Sequence, residues 1–171
     1  GEFDKRVLQT FALDKAKNRP QADTAYYFAA SAVDAASKNL VAPFKPVNFD
    51  KLPGVFRDPD GKWFTIHTLT IAFVVNTKLV KNVPQSWADL LKPEYKSMVA
   101  LFGDPTASNQ AQSAVWAAGL SRNNGNLDSV TEGLQFFKEL NDKGNFVPVI
   151  GSTATVSSGQ TPIRLGWTYN G

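Results

Sequence analysis

Residues 99–120 read VALFGDPTASNQAQSAVWAAGL: a short apolar run, a turn and an incipient helix, with small polar side chains gathered at the join. Val99, Ala100, Leu101 and Phe102 suit a buried strand, and Gly103, Asp104 and Pro105 end it. Thr106, Ser108 and Asn109 are all favourable N-cap residues. Behind them Ala111, Ala114, Val115, Ala118 and Leu120 supply an apolar helical face. A helix start offers unpaired N–H groups and a partial positive charge. Such a join is therefore either an ordinary cap or a cradle for an oxyanion or other polar ligand group.

Composition bounds the class. The chain has 171 residues, 43% of them hydrophobic and 19% charged, enough for one core or two small lobes. Its 12 Phe, 4 Trp and 4 Tyr can furnish both an interior and a ligand cleft. The net charge of +3 is small and scattered, which argues against a nucleic-acid partner. With no cysteine, the chain has no disulfide, thiolate metal site or cysteine nucleophile. No apolar run reaches the roughly 18 residues of a membrane span. Gly1-Glu2-Phe3 is not a signal peptide, so a secreted form would have lost its leader.

Outward from the join, Val7, Leu8, Phe11 and Ala12 fall at helical spacing within 4–18, with Leu13 close by, and Arg19-Pro20 ends that helix. Residues 22–28 read as a short strand feeding an Ala-rich helix over 29–38. Tyr26, Tyr27 and Phe28 lie at that handover, where open α/β sheets place ligands, and Tyr27 and Phe28 are candidate contacts. Asp58-Pro59-Asp60-Gly61 is a turn at a hairpin tip. Residues 62–75 read as one long or two successive strands. They hold the only histidine, His67, which lacks the neighbours of a metal site and reads better as a structural group than as a ligand contact. Ser86 with Asp89 resembles a capping box opening a short helix. Val130, Leu134, Phe137 and Leu140 predict a helix within 127–143, stopped by Gly144. Residues 146–150 read as a brief strand, 151–159 as a short helix and 161–167 as a last strand. This alternation predicts a mostly parallel sheet, with Trp167, Tyr169 and Asn170 emerging at a strand end beside the cleft.

Three segments carry a family resemblance. Ser86-Trp87-Ala88-Asp89-Leu90-Leu91-Lys92-Pro93-Glu94-Tyr95-Lys96, followed by Val99-Ala100-Leu101 and Asp104-Pro105, resembles the second lobe of the periplasmic solute-binding proteins of bacterial ABC importers. Asn18-Arg19-Pro20-Gln21-Ala22-Asp23 is similar to the motif before that family's first-lobe ligand loop. Gly159-Gln160-Thr161-Pro162-Ile163 before Trp167 is similar to its return to the hinge. The nearest pattern is the branch of spermidine and putrescine binders related to iron and phosphonate binders. The resemblance implies a two-lobe α/β fold with an incomplete first lobe: residues 1–70 partial first lobe, 71–76 hinge strand, 77–165 second lobe and 166–171 return toward the hinge. Full-length members continue beyond both ends, so the chain is expected to be a fragment.

The implied function is non-catalytic capture of a small polar solute in the periplasm and delivery to ABC permease subunits, without a cofactor, by a protein monomeric at full length. A polyamine-like solute is the lead, although Thr168 stands where that pattern is acidic. The alternative is a phosphonate or other oxyanion at the helix start. The candidate contacts are Tyr27, Phe28, His67, Thr106, Ser108, Asn109, Trp167, Tyr169 and Asn170, with no metal ligand among them. A hydrolase is disfavoured: it would rest on His67 as base, with no Gly-x-Ser-x-Gly elbow and no close acidic pair.

Overall fold

Two units divide the chain, Gly1–Thr68 and Leu69–Gly171, and the computed structural model describes residues 2–168. In the first unit, helix α1 (Glu2–Ala16) packs on α2 (Ala29–Ser37). Alanines Ala32, Ala35 and Ala36 form the buried side of α2. Polar bonds tie the pieces together: the Ser31 hydroxyl donates to the buried Asp4 carboxylate at 2.8 Å, and the Gln21 N–H donates to Asp14 at 3.3 Å. The Lys62 ammonium donates to the Asn39 side-chain oxygen at 3.0 Å. Phe49 is buried under Phe64, edge to face at 6.2 Å, with the Arg57 guanidinium 5.1 Å from its ring centre. The turn at 58–61 is the tip of a minimal hairpin: Arg57 bridges Phe64, and Gly61 takes φ +82°.

The strand expected over 22–28 is absent. The segment is extended at Phe28 (φ −70°, ψ 151°), but no strand of this unit offers it a ladder among the described residues. The β signal of 62–75 likewise shrinks to β1 (Thr70–Val75), leaving His67 in an exposed loop rather than a strand.

The second unit is built on a three-stranded sheet in the order β1, β3, β2, where β2 is Val99–Leu101 and β3 is Ile163–Thr168. The β2–β3 pair is parallel, and β1 joins β3 antiparallel, Thr70 opposite Thr168 and Val75 opposite Ile163. The sheet is thus half parallel rather than mostly so, because β1 enters from the opposite direction. Residues 146–150 contribute a single bridge, Phe146 to Val99, with the Val147 N–H donating to the Val99 carbonyl at 2.7 Å. Three helices complete the unit: α3 (Asn109–Arg122), α4 (Val130–Asp142) and α5 (Thr153–Ser158). The Ser86–Asp89 box is present, with the Asp89 carboxylate accepting from the Gln85 and Ser86 N–H groups at 3.0 Å and the Asp89 N–H donating to the Ser86 hydroxyl. It opens a 3₁₀ turn, Ala88–Leu91.

Two glycines set how α3 meets α4. A Cβ on Gly119 would lie 1.8 Å from the Ser129 carbonyl oxygen, and one on Gly133 would lie 2.1 Å from that of Val115. The helices touch backbone to backbone, which turns Gly133, Phe136 and Leu140 of α4 inward. The stripe expected inside is therefore corrected: Leu140 is buried, Phe137 half-buried, and Val130 and Leu134 face solvent. The core gathers Leu90, Val99, Phe136, Leu140, Ile163 and Leu165, each fully buried. Trp87 packs edge-on between Phe73 at 5.0 Å and Phe136 at 5.7 Å.

Candidate ligand-binding site

Because β2 and β3 run in the same direction, their carboxyl ends meet one edge of the sheet, and the join at 102–109 leaves from that edge. Gly103 turns the chain at φ +124°, where a Cβ would lie 2.8 Å from Ser108; only glycine permits this close return. Asp104 then organises the loop. Its carboxylate accepts from the Thr106 N–H at 2.8 Å and the Thr106 hydroxyl at 2.7 Å, and its carbonyl accepts from the Ser108 N–H at 2.7 Å. Those donors hold the Asp104 carboxyl below the usual carboxylate range, the Thr106 N–H first and its hydroxyl second.

Ser108 is the N-cap of α3. Its hydroxyl accepts from the Ala111 N–H at 3.3 Å and donates to the Phe102 carbonyl at 3.4 Å. Asn109, half-buried, begins the helix. The hydroxyls of Thr106 and Ser108 are thus engaged with protein groups, which makes the loop a rigid frame rather than a set of unused donors. Gln110, the next residue, is buried and reaches across to β3, donating to the Trp167 carbonyl at 3.4 Å. This bond joins the first turn of α3 to Trp167, so Thr106, Ser108, Asn109 and Trp167 share one edge. Tyr169 and Asn170 lie outside the described residues.

Sequence reasoning missed the pieces between them. Arg164, buried on β3, also donates to the Trp167 carbonyl, at 3.0 Å, and its guanidinium lies 4.8 Å from the Phe102 ring centre. The signal was a lone charge in an apolar strand, between Ile163 and Leu165. Burial lowers the Arg164 pKa from its ordinary value.

The remaining candidates belong to the first unit. Tyr27 is half-buried, edge-on to Phe11 at 6.4 Å, and its hydroxyl pKa is raised by burial and secondarily by the Asp4 charge. Phe28 precedes α2 as an N-cap without a side-chain cap bond. Tyr26, not Tyr27, reaches His67: its hydroxyl lies 2.8 Å from His67 Nε2, with the rings 5.6 Å apart. Tyr26 is 60% exposed. Among the described residues no group of three or more His, Cys, Asp or Glu side chains is placed to hold a metal, and no helix is long and apolar enough to cross a membrane.

This frame has relatives. An uncharacterized protein of Haemophilus influenzae is 29% identical over 94% of this chain and 48% of its own length. The crystal structure of iron-bound HitA from Pseudomonas aeruginosa superposes on 97% of this chain and 52% of its own with a TM-score of 0.69 at 19% identity. The periplasmic binding protein AfuA from Actinobacillus pleuropneumoniae, with exogenous fructose-6-phosphate bound, superposes on 94% of this chain and 52% of its own with a TM-score of 0.57 at 24% identity. The chain therefore spans about half the length of these proteins and has the α/β fold of the periplasmic binding proteins over that span. Residues 22–170 match the family described as bacterial extracellular solute-binding protein, and the chain belongs to that family.

Proposed function

We propose that this chain captures a small polar solute outside the cytoplasmic membrane, in the periplasm, and that the whole protein delivers it to the permease of an ABC importer without chemical turnover. The observation that carries the reading is the Gln110 bond to the Trp167 carbonyl, which gathers the capped start of α3 and the end of β3 at the carboxyl edge of the parallel pair. In this reading residues 71–76 act as the hinge strand and residues 166–171 as the return toward it. Tyr27, Phe28 and His67 are the candidate contacts in the first unit; Thr106, Ser108, Asn109 and Trp167, together with Tyr169 and Asn170 outside the described residues, are those in the second.

An oxyanion on the solute suits this edge, since the start of α3 carries partial positive charge. AfuA, with its sugar phosphate, makes phosphate a reasonable probe. A polyamine-like solute is the second reading, favoured by the Asp104 carboxylate at the same turn, which stays ionised and would attract an ammonium group. Iron, held by HitA, is less suited, because Tyr26 and His67 form only a pair.

Calorimetry with phosphate, aminoethylphosphonate, putrescine and spermidine tests the reading on the intact chain and on Ser108→Asp. Aspartate is an equally good N-cap, so the helix start survives while a negative charge is added. Phosphate or phosphonate affinity is expected to fall at least tenfold, and amine affinity to hold or rise. Tighter phosphate binding by the variant would sink the helix-start site.

A further inference from the structure

Arg164 is 8% exposed, and among the described residues its guanidinium has no ion-pair partner. Its neighbours on β3, Ile163 and Leu165, are fully buried in the core on the opposite face. The stem is gripped where Gly151 approaches: a Cβ there would lie 2.9 Å from Arg164 Cγ and 3.2 Å from the Ala100 Cβ. The head makes two contacts and keeps one donor unpaired. Nη2 donates to the Trp167 carbonyl, the guanidinium plane meets Phe102, and Nε is buried without a hydrogen-bond partner among the described residues. No carboxylate among the described residues forms an ion pair with it. A guanidinium has five N–H donors in a planar fork and stays charged at any physiological pH, so burial without an anion leaves it strongly under-satisfied.

That head sits at the edge already described. Phe102 is the residue from which the join departs, and its carbonyl accepts from the Ser108 hydroxyl. Trp167, whose carbonyl takes the Arg164 bond, takes the Gln110 bond as well. A Cβ on Gly166 would meet Gln110 Nε2 at 2.6 Å and the Phe102 Cβ at 3.1 Å, so the backbone of β3 passes bare beneath these groups. The buried cation, the start of α3 and the aromatic face of Phe102 thus converge on one place from separate elements.

We propose that Arg164 is the anion receptor of this edge and sets the class of solute: one bearing an oxyanion, carboxylate or phosphoryl, that the guanidinium meets with its fork. The proposal rests on the solute-capture reading above and adds the sign of the charge and the residue that selects it. The Asp104 carboxylate, clasped by Thr106, then shapes the loop rather than receiving an amine.

Nitrogen-15 NMR of the intact chain tests this directly, following the Arg164 Nε–H resonance and the backbone amides of 103–110 and 167 during titration with phosphate, acetate and putrescine. Phosphate or acetate is expected to shift the Arg164 Nε–H saturably and to slow its exchange with solvent at least tenfold; the two titrations separate the phosphoryl from the carboxylate source. Arg164→Lys keeps the charge and loses the fork, and should weaken the same probe at least tenfold with the amide pattern of the core unchanged. Phe102→Leu, which removes the ring from the guanidinium without touching β3, should weaken it about threefold and serves if the lysine variant does not fold. Phosphate that shifts the amides of 103–110 while Arg164 Nε–H stays still overturns the proposal and leaves solute capture standing. Putrescine as the only probe to shift those amides overturns the sign in the same way. If no probe moves any of these amides, the capture reading fails together with it.

Discussion

The two units hold themselves together by different means. In the second, apolar side chains from three strands and two long helices close over one another, and Phe136, Leu140, Ile163 and Leu165 are fully sealed. In the first, the buried apolar set among the described residues is Ala32, Ala35, Ala36 and Phe49, and the ties are side-chain hydrogen bonds such as Ser31 to Asp4 and Lys62 to Asn39. Three alanines bury little area, while a sealed Phe or Leu contributes about 1.5–3 kcal/mol. Stability therefore resides in the second unit, where the edge formed by α3 and β3 needs rigidity. The first carries its candidate contacts, Tyr27, Phe28 and His67, on segments with few apolar anchors.

The contrast can be broken most forcefully at Phe136. Phe136→Ala opens a cavity beside Trp87 and should destabilise the second unit by about 4 kcal/mol, read as a shifted urea midpoint of tryptophan fluorescence. Gly133→Ala comes next, at about 3 kcal/mol, since its methyl would collide with the Val115 carbonyl and force α3 and α4 apart. An intact midpoint for that variant would mean that the helices are not in backbone contact.

Acid provides a smaller and slower test. Asp89 is held down to about 2, first by the Lys92 ammonium and then by the Gln85 N–H and Ser86 hydroxyl, and Asp104 is lowered by Thr106. Both folded pKa values lie below the unfolded value of about 4, so their stabilisation is complete above that pH. It should be lost as pH falls from about 4 toward 2. Urea midpoints measured across that window should decline, and Asp89→Asn should flatten the decline. The smallest effect belongs to the first unit: Val55→Ala, at a side chain 80% exposed, should change stability by less than about 0.5 kcal/mol.

What could be read from the chain beforehand divides along the same line. The join at 99–109 was legible because its signals are local: a glycine that must turn, a serine that caps three residues ahead, an alanine face behind. The helix of 130–142 was legible as a helix but not in its facing, because Val130 and Leu134 outweigh a glycine in any hydrophobic pattern, while the glycine decides how close α3 comes. The missing strand at 22–28 has the same origin. Its residues favour extension, but a strand exists only where another backbone supplies its partners. Arg164 escaped notice because its role depends on what surrounds it, the carbonyl of Trp167 and the ring of Phe102, neither of which its spacing in sequence reveals. Tyr26 and His67, 41 residues apart, met for that reason too.

The antiparallel register of β1 with β3 has a mechanical meaning. Thr70 opposes Thr168, so the chain enters and leaves this pair at adjacent points, about 5 Å apart. A pull on those two points loads the rungs of the ladder one after another, as a zipper opens, instead of shearing all of them at once. Tension reaching the second unit through these strands would meet its weakest direction. A molecule tugged there should part at low force from the Thr70 end inward, with Phe136 and the helices behind it still in place.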